Sequence, residues 1–284
     1  MRIEVAEEVA FCFGVQRALR MVRGALRRGR KALSLGPLIH NPQVVRELEE
    51  LGLRVVNDLS EITSGAVVVR THGALPEVLA EAERRGLEVI DATCPFVKRV
   101  QQAAAQMHQE GYTVIVLGER DHPETLAILA CTDGEATVVE SVADAESALL
   151  TSGGRTGRRL GLVAQTTQPL ERFAALAAAL LPLCEELKAA NTVCDATVGR
   201  QAAATRLAQE ADVMIVVGGH ESANTRRLAE ICRRHAPRTY HIQTAAEIRA
   251  EWLRGAEYVG ITGGTSTPPE ALQEARKCLE ELAK

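Results

Sequence analysis

Two kinds of segment alternate along the chain. Short apolar runs rich in β-branched residues, such as "YTVIVLG" at 112–118 and "DVMIVVG" at 212–218, predict strands. Ala-rich stretches with apolar positions three and four apart, such as "VQQAAAQMHQEG" at 100–111, predict helices. Strands and helices in strict alternation indicate βαβ units and parallel sheets.

The alternation repeats three times. "KALSLG", "YTVIVLG" and "DVMIVVG" each end in glycine, and a polar residue stands four positions later: His40 after Gly36, His122 after Gly118, Ser222 after Gly218. Second runs follow ("LRVVND", "ATVVES", "RTYHIQ"). Third runs then end in polar residues with proline close behind: "AVVVRTHGALPE", "LGLVAQTTQPLE" and "YVGITGGTSTPPE". Fourth runs, "EVIDATC" and "NTVC", lead straight into a cysteine. An internal repeat outranks a domain count taken from length. Three α/β units are therefore expected, over 1–93, 94–193 and 194–284, arranged around a pseudo-threefold axis.

Cys12, Cys94 and Cys194 open the repeats, 82 and 100 residues apart. Each precedes an Ala-rich helical stretch, so each falls in a strand-to-helix turn at a helix N-terminus. Pro95 suits a first helical turn and Asp195 complements the helix dipole. Functional groups in open α/β sheets gather beyond the carboxyl ends of the strands. Three such turns converging on one axis would bring three thiolates together, each favoured by a helix N-terminus. The other four cysteines, Cys131, Cys184, Cys232 and Cys278, sit in apolar or amphipathic surroundings and read as packing residues.

Composition removes several classes of function. A net charge of −4 offers no basic field for nucleic acid or an anionic membrane. No apolar run approaches the roughly 18 residues of a membrane span. Glu4, Glu7 and Glu8 stand where a signal peptide needs an apolar region. A cytoplasmic protein without nucleic-acid or membrane partners is expected, with no heptad pattern demanding a dimer.

Thiolates select zinc, copper(I) or iron–sulfur clusters. A three-cysteine zinc site usually adds a histidine at local spacing, and no CxxC pair occurs here. A [4Fe–4S] cluster on three cysteines leaves one iron open to a substrate oxygen. Three buried thiols sharing only repeat ancestry is the plainer alternative. The neighbouring turns weigh against it. His40, His72 and His122, with Ser222, Asn224, Thr225 and Ser266, supply imidazole, hydroxyl and amide donors suited to a diphosphate. Glu124 is a candidate proton donor, or equally a helix first-turn glutamate. Thr166 and Thr167 suit a substrate hydroxyl, or a helix cap.

Assembled in order, these residues resemble the 4-hydroxy-3-methylbut-2-enyl diphosphate reductase family. The likeness runs nearly end to end: FCxGV at Cys12, HN at His40, HG at His72, DATCP at Cys94, HPE at His122 to Glu124 and QTT at Thr166. It continues through Cys194, the loop from Ser222 to Asn224 and the serine–x–proline turn at Ser266. The resemblance implies a [4Fe–4S] enzyme that reductively removes an allylic hydroxyl to give isopentenyl and dimethylallyl diphosphate, the last step of the methylerythritol phosphate route. It implies Cys12, Cys94 and Cys194 as cluster ligands, one iron open to the substrate oxygen, and Glu124 as proton source. Thr166 and His122 would lie near that oxygen. His40, His72, Ser222, Asn224 and Ser266 would bind the diphosphate, and a ferredoxin or flavodoxin would supply electrons.

Three positions depart from the family pattern. Ala223 stands where a second serine is usual, Phe13 where alanine is common, and Thr125 with "LAILA" where valine and a nearby glycine are usual. They leave room for a paralogue acting on another allylic or phosphorylated substrate. A non-catalytic iron–sulfur carrier or sensor is the reading from another class, though it would need neither Glu124 nor the polar ring.

Overall fold

A computed structural model of the chain describes residues 1–151 and 158–283. Its elements run β1 (Arg2–Val5), α1 (Phe13–Arg27), β2 (Ala32–Leu35), α2 (Pro42–Glu50), β3 (Arg54–Val56), β4 (Ala66–Val69), α3 (Pro76–Arg84) and β5 (Glu88–Asp91). Then come α4 (Pro95–Gln109), β6 (Thr113–Leu117), α5 (Pro123–Ala130), β7 (Thr137–Val139), α6 (Val142–Thr151), β8 (Arg159–Ala164), α7 (Leu170–Leu180) and β9 (Glu186–Ala189). The chain closes with α8 (Asp195–Glu210), β10 (Val213–Val217), α9 (Ala223–His235), β11 (Thr239–Ile242), β12 (Tyr258–Gly263) and α10 (Pro269–Leu282).

The strands form three four-stranded sheets, parallel throughout, in the orders β3-β2-β4-β5, β7-β6-β8-β9 and β1-β12-β10-β11. The predicted parallel α/β architecture is present three times. In each sheet the strand order reverses between the two central strands: β2 and β4, β6 and β8, β10 and β12. That reversal is where an open α/β sheet leaves a crevice for ligands.

Two details differ from the sequence reading. The fourth run of the second repeat is Glu186–Ala189, not "NTVC", which is irregular. Its residues "ELKA" lie at the sheet edge in the burial pattern exposed, intermediate, intermediate, exposed, so no apolar alternation betrays it. Strand β1 pairs with β12, Arg2 opposite Tyr258 through Val5 opposite Ile261. The strand that leads into Cys12 thus completes the sheet of the C-terminal segment.

The backbone groups into two compact units. One comprises residues 1–16, 39–50 and 195–284; the other comprises 17–38 and 51–194. In the first, β10 is buried on both faces. Met214 and Val216 pack with Leu207 of α8 and Leu228 of α9, while Val213, Ile215 and Val217 pack with Leu272 and Leu279 of α10. Successive strand residues point to opposite faces, so an unbroken apolar run marks a strand covered on both sides. The second unit repeats the arrangement: Val114 and Val116 of β6 meet Val100, Ala104 and Met107 of α4 and Ile128 of α5. Each fully buried Val, Leu or Ile contributes about 1.5–3 kcal/mol, which makes these central strands the rigid frame for the turns that follow them. Among the described residues no helix is long and apolar enough to cross a membrane.

Candidate functional site

The three predicted cysteines are placed alike. Cys12 immediately precedes α1, Cys94 is the N-cap of α4, and Cys194 immediately precedes α8. Each main-chain amide is tied to the same place in its own sheet. Cys12 donates to the Thr265 carbonyl at 3.1 Å, Cys94 to Thr71 at 3.0 Å and Cys194 to Thr166 at 3.0 Å. All three acceptors follow the central strand that ends in the third apolar run. The thiols are partly exposed and unbridged.

The remaining cysteines behave as packing groups. Cys232 is fully buried in the α9 core, which pushes its thiol up to about 12. Burial also raises Cys131 and Cys184, whose Sγ atoms donate to helix carbonyls, to Ala127 at 3.2 Å and to Leu180 at 3.4 Å.

In the unit holding residues 51–194, the end of β6 and the end of β8 build a buried acid. Glu124, in the first turn of α5, is 2% exposed. The Thr166 amide donates to its Oε1 at 2.7 Å and the Thr166 hydroxyl to its Oε2 at 3.0 Å. Burial pushes the Glu124 carboxyl up to about 7, and the two bonds from Thr166 hold it back from going higher. Thr166 is therefore no helix cap: the N-cap of α7 is Pro169, without a side-chain bond.

His122 caps α5 instead. Its Nδ1 accepts the Glu124 amide at 3.1 Å, so the ring proton sits on Nε2, which becomes a donor. The His72 ring meets it edge-on, centroids 5.3 Å apart at 84°. His72 is carried by the turn after β4, where the Thr71 amide and hydroxyl both bond the Leu38 carbonyl. Gly73 follows at φ +87°, a left-handed conformation that favours glycine, with the Gln101 side chain packed over its Cα.

In the other unit, Ser222 caps α9 by accepting the Thr225 amide at 3.4 Å. The Ser266 hydroxyl reaches the His40 carbonyl at 3.4 Å, and Gly219 lies so close to that carbonyl that a Cβ would come within 2.5 Å. Asn224 is 3% exposed, and neither carboxamide atom has a hydrogen-bond partner. The Thr225 hydroxyl is likewise buried and unpaired. Such atoms are uncommon in folded proteins and call for a partner, either an ordered water or a bound group.

The repeat relates these positions. Gly118, His122, Glu124 and Thr125 stand 100 residues before Gly218, Ser222, Asn224 and Thr225. Thr125 Oγ1 would meet a Gly118 Cβ at 2.8 Å, and Thr225 Oγ1 a Gly218 Cβ at 2.7 Å. Thr125, a departure from the family pattern, is thus a fully buried packing residue with an equivalent in Thr225. Ala223 is buried at the first position of α9. Phe13 is 56% exposed, so its ring adds little bulk to the turn that carries Cys12. Sequence reasoning missed Arg70, the position equivalent to Gln165 and Gly264 at the ends of the third runs. Comparing the three run ends would have singled out its charge.

Comparison with known proteins identifies the family. Residues 3–280 match the LytB protein family. A 4-hydroxy-3-methylbut-2-enyl diphosphate reductase of Trichlorobacter lovleyi is 45% identical over 99% of both chains. Its namesake in Geobacter sulfurreducens is 45% identical over 99% of this chain and 98% of its own. A solved (E)-4-hydroxy-3-methyl-but-2-enyl diphosphate reductase, described as the terminal enzyme of the non-mevalonate pathway, is 41% identical with a TM-score of 0.69, covering 99% of this chain and all of its own. The Plasmodium falciparum E-1-hydroxy-2-methyl-but-2-enyl-4-diphosphate reductase superposes with a TM-score of 0.90 at 25% identity, over all of this chain and 88% of its own. With nearly every residue inside the family match and the relatives collinear throughout, the chain belongs to the LytB protein family.

Proposed function

We propose that this protein reduces 4-hydroxy-3-methylbut-2-enyl diphosphate, taking up two electrons and two protons and releasing water with isopentenyl or dimethylallyl diphosphate. The observation that carries this reading is Glu124, a buried carboxyl pushed up to about 7 and gripped at both oxygens by Thr166. A carboxyl protonated near neutrality has the acidity a general acid needs to deliver a proton to a leaving hydroxyl.

Cys12, Cys94 and Cys194 fit an iron–sulfur cluster: three thiols, each partly exposed at a helix N-terminus and each bonded through its amide to an equivalent threonine. They would hold a [4Fe–4S] cluster, with one iron lacking a protein thiolate. When bound, such a group supplies electrons and a Lewis-acid position for breaking the allylic C–O bond. The rest falls to the chain. Glu124 donates the proton and Thr166 keeps its carboxyl oriented. His122, with its proton on Nε2, donates a hydrogen bond toward the departing oxygen. His40, His72, Ser222, Asn224 and Ser266 bind the diphosphate, for which the unpaired Asn224 amide is suited. Thr167, Ala223 and Thr225 flank these groups, and the electrons arrive singly from a ferredoxin or flavodoxin in the cytoplasm.

The test is anaerobic. The full chain is reconstituted with iron and sulfide, reduced viologen is added, and its oxidation is followed with and without the hydroxymethylbutenyl diphosphate. Substrate-dependent oxidation with both five-carbon diphosphates as products is expected. A cluster-loaded protein that leaves viologen reduced would refute the assignment.

A further inference from the structure

Arg70, at the end of β4, carries a positive charge with nothing opposite it. Among the described residues its guanidinium has neither a hydrogen bond nor an ion pair, although partial burial pulls it below its ordinary value. It lies over Gly36, whose Cβ, were there one, would stand 2.9 Å from Arg70 Nη1. The position is peculiar to this sheet. At the equivalent place in the second sheet, Gln165 Oε1 accepts the Glu119 amide at 3.0 Å, and in the third Gly264 is filled in by Thr225. Neither place carries a charge.

A cavity of about 450 Å³ lies beyond the carboxyl ends of β2, β3 and β4, at the reversal of strand order, where such sheets bind ligands. Its polar lining comprises Arg70, the Gly36–Pro37 turn, Asn57 and Asp58, whose Oδ1 accepts the Ser60 amide; its apolar lining includes Leu59, Leu75 and Val78. His72 is not among the lining residues; its ring faces His122 instead.

We infer that this cavity binds a small carboxylate with an apolar body, its head held by Arg70 and its chain lying against Leu59, Leu75 and Val78. A guanidinium matches a carboxylate with two parallel hydrogen bonds. Arg70 is the one cation among the lining residues and cannot neutralise a diphosphate, so a singly charged head is the better fit. None of the residues proposed to bind the diphosphate lines it, and the inference does not depend on that reading.

The probe is hexanoate, titrated by calorimetry into the full, cluster-reconstituted chain, with hexan-1-ol as the uncharged control and inorganic diphosphate as competitor. Hexanoate should saturate below about 50 mM, a weak affinity in keeping with so small a ligand. Arg70→Gln should weaken it about tenfold or more, the loss of a charge-assisted pair. Arg70→Lys should fall between. Val78→Phe, which fills the cavity and leaves Arg70 in place, should also abolish binding. Since Arg70 has no partner to lose, Arg70→Gln should melt no lower than the parent. Equal binding by Arg70→Gln, equal binding of hexanol, displacement by diphosphate, or no saturation would each overturn the site.

Discussion

Thr166 grips Glu124 at both carboxylate oxygens, through its amide to Oε1 at 2.7 Å and its hydroxyl to Oε2 at 3.0 Å. The two residues come from different strand ends, after β6 and β8, so the bond ties the crevice of the second sheet across its point of reversal. Burial and these bonds act oppositely on the carboxyl. Burial wins, and the proton is held up to about 7.

The first prediction is a pH profile. A donor is active while protonated, so turnover should be level at acid pH and decline as pH rises through about 7. Glu124→Gln should retain the cluster and bind substrate but lose most turnover. Steady-state viologen oxidation from pH 5.5 to 9 checks both, and full activity in the variant would sink the proton-donor role.

Thr166→Val separates the two bonds. It removes the hydroxyl that lowers the Glu124 value and keeps the amide. The alkaline limb should therefore move to higher pH, by about one unit for a lost bond to a charged group. A limb that stays put would mean that the titrating group is another residue.

The same carboxyl makes stability depend on pH. Its folded value, about 7, lies above the 4.5 it has when exposed, so between those values the folded state binds the extra proton. Stability is then fully present below about 4.5, falls as pH rises, and levels off above 7, a loss of about 3 kcal/mol. Glu124→Gln lacks this slope. Denaturant melts of parent and variant at pH 5 and pH 8 should show the variant gaining on the parent at the higher pH.

Much of this site was legible in the chain because glycine, cysteine and proline punctuate each repeat at fixed places. The turns carrying Cys12, Cys94 and Cys194 and the polar residues at His122, Ser222 and Ser266 were found from spacing alone. What escaped depended on partners distant in sequence. The strand at Glu186–Ala189 is an edge strand of polar composition, and β1 finds its neighbour β12 more than 250 residues away. Glu124 read equally as a first-turn glutamate, and it is one; only its burial against Thr166 gives it a second role. The unpaired state of Asn224 and Arg70 could not be read from sequence at all, since it is a property of what surrounds them.

The cysteine assignment predicts a contrast. Cys194→Ser should lose cluster integrity after anaerobic reconstitution, because its thiol is partly exposed at the start of α8. Cys232→Ser should keep its iron, because that thiol is buried in the α9 core and pushed up to about 12, out of reach of thiolate chemistry. Iron and sulfide per chain decide it, and equal content in the two variants would contradict the ligand set.

Asn224 offers a trade between stability and binding. Its carboxamide is buried with both atoms unpaired, a state that costs about 1–3 kcal/mol of folding stability per unsatisfied group. Asn224→Leu replaces it with an apolar side chain of similar size and removes that cost, so the variant should melt at or above the parent temperature. If the amide serves the diphosphate, the same change should weaken substrate binding by about tenfold or more, the worth of a hydrogen bond to a charged group. A structural role would move both quantities downward together. A rise in melting temperature with a loss of affinity would identify Asn224 as a group held unsatisfied for its ligand.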